Sequence, residues 1–458
     1  MIKEIYWQPL LNYRDIYLTP IYFILMLIVF IFIRNLLYPE DKLFRKYFIN
    51  GIILKMLGGI GVGFIYFFYY NGGDTTQYFG NASVMYAAFA ENSTDFFTIL
   101  FNKCESNLPL QSDYINWMYF KGDPSSYLVG KIAGVFALFT FDAYLPMSLF
   151  FAAVSFSGVW ALFITLYDAF PKLKEQFAFA TLYIPSVFFW GSGILKDSIT
   201  MACVGWIVWG CYNLFFKKRK VFASFIMLSI SVYFCLAIKP YIVLCIAPSI
   251  TFWIFLYYRD SVKSQFLKSL AGPIILVISA LAGLLVVSRL GRDFQQYSLQ
   301  GAIQTASNFQ GYHTYLAEKN NASGYHLGTM DGSTGSIIRN IPAAINVTLF
   351  RPYIWEVRNP VMLLSAIESL IMLLFTIRIF YRTGILRTFK AIGSNATAFF
   401  CIFFAMFFAF SVGFTAYNFG ALVRYKIPCI PFFVAGLFIL NYITEEENAK
   451  RLAAKTRF

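Results

Sequence analysis

The stretch Asn71-Gly72-Gly73-Asp74-Thr75-Thr76-Gln77-Tyr78 sets a carboxylate and two glycines directly after an apolar run from Gly51 to Tyr70. A charge where an apolar segment leaves a membrane is costly unless it has a partner or a task. Given reach and a suitable pKa, a carboxylate there can take the proton of an attacking hydroxyl. Cations stand at the ends of other apolar runs: Lys131, Lys196 beside Asp197, Lys239 before Pro240, and Arg424-Tyr425-Lys426. A long later stretch adds His313, His326, Arg339, Arg351, Glu356 and Arg358. One carboxylate, with Gln77 and Tyr78 beside it, and many cations suit an anionic, lipid-tethered substrate. Lysine and arginine neutralise phosphate oxygens, arginine with a bidentate fork.

Each of these residues also has a plainer reading. Asp74 before Thr-Thr-Gln-Tyr can cap a helix. Lys196 and Asp197 can be a local ion pair, Lys239 can snorkel from a span end, and Arg424 and Lys426 can anchor a helix at the head groups. The two histidines can be ordinary loop residues or a proton shuttle. Acidic residues of the first loop are the candidates for a divalent cation held through oxygen ligands, though no spacing marks a metal site.

Of 458 residues, 59% are apolar and only 13% charged, against about 25% charged in soluble domains. Several runs exceed the ~18 apolar residues of a membrane-crossing helix, and long unbroken runs exclude a barrel. The fold class is an all-α polytopic membrane protein with about 11 transmembrane helices. The net charge of +14 falls in short loops, which reads as the positive-inside excess of cytoplasmic loops rather than a nucleic-acid surface. The seven cysteines lack metal-type spacing and form no disulfide framework.

Loop charges set the topology. Residues 1–50 form an N-terminal extra helix (Tyr17 to Arg34) and a cytoplasmic loop with Lys42, Arg45 and Lys46. The second span then delivers Asp74 to the outer face. A first outer loop, 71–142, carries helices along the membrane interface, including a short apolar piece after Asp123-Pro124 that does not span. Phe177 to Trp190 is a span ending in a tight outer turn, Gly191 to Ser198. The strongest cytoplasmic signal, Lys217-Lys218-Arg219-Lys220, follows. Residues 261–458 hold a span from Leu270 to Val287, a large outer loop at 288–358, and three further spans. Every strongly basic loop then falls on one face.

The order of features over residues 51–260 resembles the GT-C superfamily of membrane glycosyltransferases, which use polyprenyl-phosphate-linked sugars. The matching elements are Asp74 after a span, the Asp123-Pro124-Ser125…Gly130-Lys131 turn, the Pro185…Ser192-Gly193…Lys196-Asp197 hairpin, and Lys239-Pro240 ending an outward span. A His-Pro-Pro form of the first-loop turn is absent, and no Asp-x-Asp or Glu-x-Asp pair accompanies Asp74. The C-terminal part is similar to polysaccharide repeat-unit polymerases, on Arg339, Arg351, Arg358 and Asn418-Phe419-Gly420…Arg424-Tyr425.

The resemblance implies an inner-membrane enzyme of a bacterial envelope. It would transfer a sugar or glycan from a polyprenyl-(di)phosphate carrier with inversion. Asp74 would be the base, and Lys131, Lys196, Lys239, Arg351, Arg358 and Arg424 would hold the lipid phosphate. Gln77, Tyr78, Asp197, His313, His326 and Tyr425 would contact substrate, and Tyr78, Tyr114 and Trp117 would stack on sugar faces or form an interfacial belt. Outside the transferase class stand a lipid-linked glycan transporter or flippase and a non-enzymatic membrane scaffold.

Overall fold

The computed structural model describes residues 11–101, 112–259, 324–325, 327 and 334–455. Among them regular structure is helical, with a single isolated bridge, Gly324 to Asn418. Among the described residues eight helices are long and apolar enough to cross a membrane, or nine if a bent pair counts as one span. The protein is a multi-pass helical membrane protein.

The expected eleven spans are not all seen among the described residues. Leu270 to Val287 lies outside the described residues. Phe177 to Trp190 is not one helix: Lys174–Ala178 runs into a π-turn, Phe179–Tyr183, and a new helix starts at Pro185. A proline at the first position of that helix has no N–H to lose and cannot continue the previous turn. The last expected span, Ile427 to Tyr442, falls in a bent pair, Phe419–Tyr425 and Ile430–Lys450, turning by 63°.

The chain divides into two compact units that interleave in sequence. The first comprises residues 1–164, 181–210 and 222–240. Its helices are α1 (Tyr13–Leu37), α2 (Lys42–Phe64, extended by the π-turn Ile65–Tyr69), α3 (Asp74–Glu91), α4 (Ser93–Phe101), α5 (Ser112–Trp117) and α6 (Pro124–Thr140). Most of α7 (Tyr144–Ala169), α8 (Pro185–Trp190), α9 (Lys196–Cys211) and α10 (Val221–Ile238) complete it.

Asp15 ties two helix starts together. Its carboxylate accepts the Asn12 N–H at 3.0 Å, capping α1, and the Leu145 N–H at 2.7 Å, capping α7. The start of α3 is bonded to the same place, Thr75 Oγ1 to the Tyr144 hydroxyl at 2.6 Å. The segment 71–143 thus leaves and returns at one end of the unit. None of α3 to α6 is among the spans. Helix α6 packs on α3 so closely that a Cβ on Gly134 would lie 2.4 Å from Met85 Sδ. Toward the far end of α2, Phe48 and Trp160 meet edge-to-face at 4.9 Å.

The second unit comprises residues 165–180, 211–221 and 241–458. It includes α11 (Pro240–Tyr258), α12 (Thr334–Phe350), α13 (Pro360–Thr383), α14 (Ile385–Ser394), α15 (Ala396–Ala416), α16 (Phe419–Tyr425) and α17 (Ile430–Lys455). Within the expected outer loop 288–358, the described part holds the regular helix α12, despite Pro342. It crosses α15 at Gly413, where a Cβ would stand 2.1 Å from the Ala344 carbonyl oxygen, and Thr348 donates to the Ala409 carbonyl at 2.7 Å. Trp253 of α11 stacks on Phe400 of α15 at 4.4 Å.

Candidate functional site

The chain reverses before Asp74 through three successive positive-φ residues, Asn71 (52°), Gly72 (120°) and Gly73 (137°). Asparagine tolerates the first of these angles, whereas the values at Gly72 and Gly73 are cheap only for glycine. A Cβ on Gly73 would also lie 2.8 Å from the Tyr66 ring. Gly73 is the N-cap of α3. The Thr76 hydroxyl accepts from its N–H at 3.0 Å and donates to its carbonyl at 2.7 Å. The N-cap position is therefore Gly73, not the expected Asp74. Asp74 is the first residue of α3, half-buried, in the positive field of the helix start.

From there a polar chain runs inward. Tyr78, one turn along α3, is buried and stacked on Phe120 at 4.7 Å. Its hydroxyl lies 3.4 Å from Ser126 Oγ. Ser126 donates to Asp123, which caps α6 by accepting the Ser125 N–H at 3.0 Å. Lys196 Nζ stands 3.2 Å from Asp123 and 2.6 Å from Ser125 Oγ. Although burial works the other way, hydrogen bonds from Ser126 and Ser125 and the Lys196 ammonium hold the Asp123 carboxyl down at about 2.

Lys196 opens α9 after a turn expected on the outer surface. Gly191 to Leu195 are buried instead. Because α8 has only six residues, the turn stays inside the protein against α2. Gly58 and Gly193 permit this approach: Cβ atoms there would lie 2.3 Å from the Phe188 carbonyl oxygen and 2.5 Å from Val62. At 1.5 Å per residue, Val62 is about 10 Å short of the end of α2's π-turn. The carbonyls of Val187 and Gly191 are met by Lys55 Nζ at 3.0 and 2.9 Å, and Ser155 Oγ accepts from the same ammonium at 2.9 Å. Next along α9, Asp197 is fully buried and pairs with Lys239 Nζ at 2.5 Å.

The second unit carries its own cationic group. Arg351 grips both carboxylate oxygens of Glu356, and the Tyr353 N–H donates to Glu356 at 2.8 Å. Burial opposes the effect, but the Arg351 and Tyr353 bonds keep the Glu356 carboxyl below its usual range. Arg351 lies over the Phe419 ring at 5.3 Å. A cavity of about 260 Å³ is lined here by Trp355, Glu356, Arg358, Met362 and Phe419. Arg358 is exposed, Arg424 and Tyr425 are half-buried, and Arg339 is exposed on α12. Lys426 is fully buried and donates to Ser369 Oγ at 3.0 Å.

The structure thus joins Tyr78, Lys196, Asp197 and Lys239 in one unit, with Asp74 a turn from Tyr78. Arg351, Arg358, Arg424 and Tyr425 belong to the other unit. Lys131 is half-buried over the Tyr127 ring at 4.7 Å, and Gln77 is half-buried on α3. Tyr78 is covered by Phe120, Tyr114 donates to Glu91 at 2.6 Å, and Trp117 packs against the α3–α6 core. These three rings hold the loop together. His313 and His326 lie outside the described residues. Among the described residues no three metal-ligating side chains cluster.

Ser126 and Lys55 join the site although the sequence reading gave them no role, and Asp123, read as part of the first-loop turn, joins it as the partner of Lys196. For Lys55 the signal was present, a lysine inside an apolar run.

Fold and site together define a helical membrane protein with a recessed, ion-paired polar seam. No protein-family model matches the chain, and neither curated proteins nor solved structures show a match to it.

Proposed function

We propose that the protein is a bacterial inner-membrane glycosyltransferase of GT-C type, acting at the outer face on a polyprenyl-phosphate-linked sugar. Asp74 takes the proton of the acceptor hydroxyl as its oxygen attacks the anomeric carbon. The bond from that carbon to the phosphate oxygen breaks, the configuration inverts, and the phosphate leaves with the electron pair. Lys196 stabilises the developing charge. Lys131, in the same unit, enters as a further cation for the carrier phosphate, and Gln77 as a polar substrate contact. Lys239 acts as the counter-ion of Asp197.

The carrying observation is the chain Tyr78–Ser126–Asp123–Lys196, which fixes a partly exposed ammonium relative to the helix that begins with Asp74. The C-terminal cavity beside Arg351 and Arg358 suits the polymerase variant, in which a whole glycan is transferred. A lipid-linked glycan transporter is favoured by a separate observation, the buried Lys55 inside a spanning helix, with Lys239 and Lys426 buried at breaks between helices.

The test is Asp74→Asn in the host organism, with surface-glycan analysis and localisation of lipid-linked precursors. The expected result is loss of the polymer, outer-leaflet precursor accumulation and an unchanged melting temperature. Normal turnover by this variant overturns the reading, and precursor trapped in the cytoplasmic leaflet supports the transporter.

A further inference from the structure

At the other end of α1 and α2 from Asp74 lies a second cavity, of about 340 Å³, lined by Arg34, Lys42, Arg45, Lys46, Ile49 and Asn50. Four of the six lining residues are cations and none is a carboxylate. The two guanidinium groups are held by one acceptor. Arg34 donates to Asn35 Oδ1 through Nε at 3.2 Å and Nη2 at 2.8 Å, and Arg45 Nη2 donates to the same oxygen at 2.8 Å. Arg45 Nη1 reaches the Pro39 carbonyl at 3.3 Å. The nearby acids lie on the connecting turn and outside the lining. Asp41 is engaged with the start of α2, accepting the Phe44 N–H at 2.9 Å, and Glu40 is exposed. Among the described residues no ion pair joins Lys42, Arg45 or Lys46 to a carboxylate.

The setting selects among anions. The cavity sits between the last turn of one span and the first turn of the next, the height of lipid head groups. Beside Arg34 on α1, Phe32, Leu36 and Leu37 are all exposed. Helix α1 is also the least buried span, with 11% of its apolar window covered. A free phosphate has no use for an apolar wall, whereas a phospholipid needs one for its acyl chains. Basic pockets between spans on the positively charged face are where anionic head groups bind.

We infer that this cavity binds the phosphodiester head group of an anionic phospholipid, with the acyl chains lying along Phe32 and Leu36. The site is separate from the polar seam around Asp74, and its occupancy anchors the α1–α2 pair in the anionic leaflet.

The test uses the full-length protein, delipidated in neutral detergent. Binding of fluorescent phosphatidylglycerol, of phosphatidylcholine and of phosphatidylglycerol in the presence of inorganic pyrophosphate is measured, with melting temperature as the folding control. Phosphatidylglycerol should bind and phosphatidylcholine should not. Arg34→Gln/Arg45→Gln should weaken binding about thirtyfold, from the loss of two surface cations. Lys42→Gln/Lys46→Gln removes the same charge without disturbing the Asn35 bonds, and should weaken it comparably if the arginine variant does not fold. Equal retention of both lipids, or unaltered affinity in the lysine variant, overturns the inference. Displacement by pyrophosphate as effective as by lipid overturns the lipid assignment and leaves a free-anion site.

Discussion

Replacing Lys239 with methionine strands the Asp197 carboxylate inside the first unit. The side chains of the pair are 8% and 0% exposed, and the charged atoms are 2.5 Å apart. A buried pair of this kind gains little net energy from its attraction, because taking both ions out of water costs about as much. Removing one partner leaves the other's desolvation uncompensated, at about 3 to 5 kcal/mol. Lys239→Met and Asp197→Asn should each lose about that much stability. The double variant, with similar volume and no charge, should recover to within about 1 kcal/mol of the parent. The assay is unfolding of the purified chain in detergent, followed by intrinsic fluorescence, for all four proteins of the double-mutant cycle. A phosphate-binding Lys239 gives the opposite pattern, with activity lost, stability kept and no coupling to Asp197. Near-parental stability of Lys239→Met, or additive losses in the double variant, refutes the ion-pair assignment.

Lys55→Met removes the donor that meets the Val187 and Gly191 carbonyls, and should cost about 1 to 3 kcal/mol per stranded carbonyl in the same unfolding assay. Parental stability would show that the broken helix does not depend on this lysine. Asp142 gives a pH signature: burial, with the Asp15 charge adding to it and Ser83 and Arg14 opposing, pushes its carboxyl up to about 7. The folded state therefore binds the proton more tightly than the unfolded chain, and stability falls between about pH 4 and pH 7, by at most about 1.4 kcal/mol per pH unit. Asp142→Asn, which can still accept from Ser83, should flatten that slope and raise the melting temperature at pH 8 but not at pH 4; an unchanged slope refutes the assignment.

The spanning helices were legible because lipid allows few alternatives: every backbone group must be satisfied within the segment, so long apolar runs become helices. Pairings were not legible, since Lys239 and Asp197 are 42 residues apart and Lys196 and Asp123 are 73. Each of these four has an adequate local explanation that hides the distant partner. The break before Pro185 was hidden because hydropathy is blind to it: Phe177 to Trp190 is apolar whether or not the helix is continuous. Helix α12 was hidden for the opposite reason. Its opening Thr-Gly-Ser and Pro342 suggest a loop, and its helical state rests on packing against α15 at Gly413.

The geometry around Asp74 explains why a reversal, and not a straight continuation of α2, precedes it. If Asp74 is the base proposed above, it needs supports that lock its position. Thr75, the next residue, is bonded to Tyr144 at the start of α7, and Tyr78, one turn on, is held between Phe120 and Ser126. Both anchors lie on elements that the segment 71–143 brings back to the end of α2. A helix continuing α2 would carry Asp74 about 6 Å beyond Tyr70, at 1.5 Å per residue, away from both. The positive φ values of Asn71, Gly72 and Gly73 fold it back instead, so that the carboxylate stays half-buried at a helix start whose neighbours are fixed. That arrangement places Asp74 at the first position of the helix, with Gly73 as its N-cap and Thr76 bonded to the Gly73 backbone.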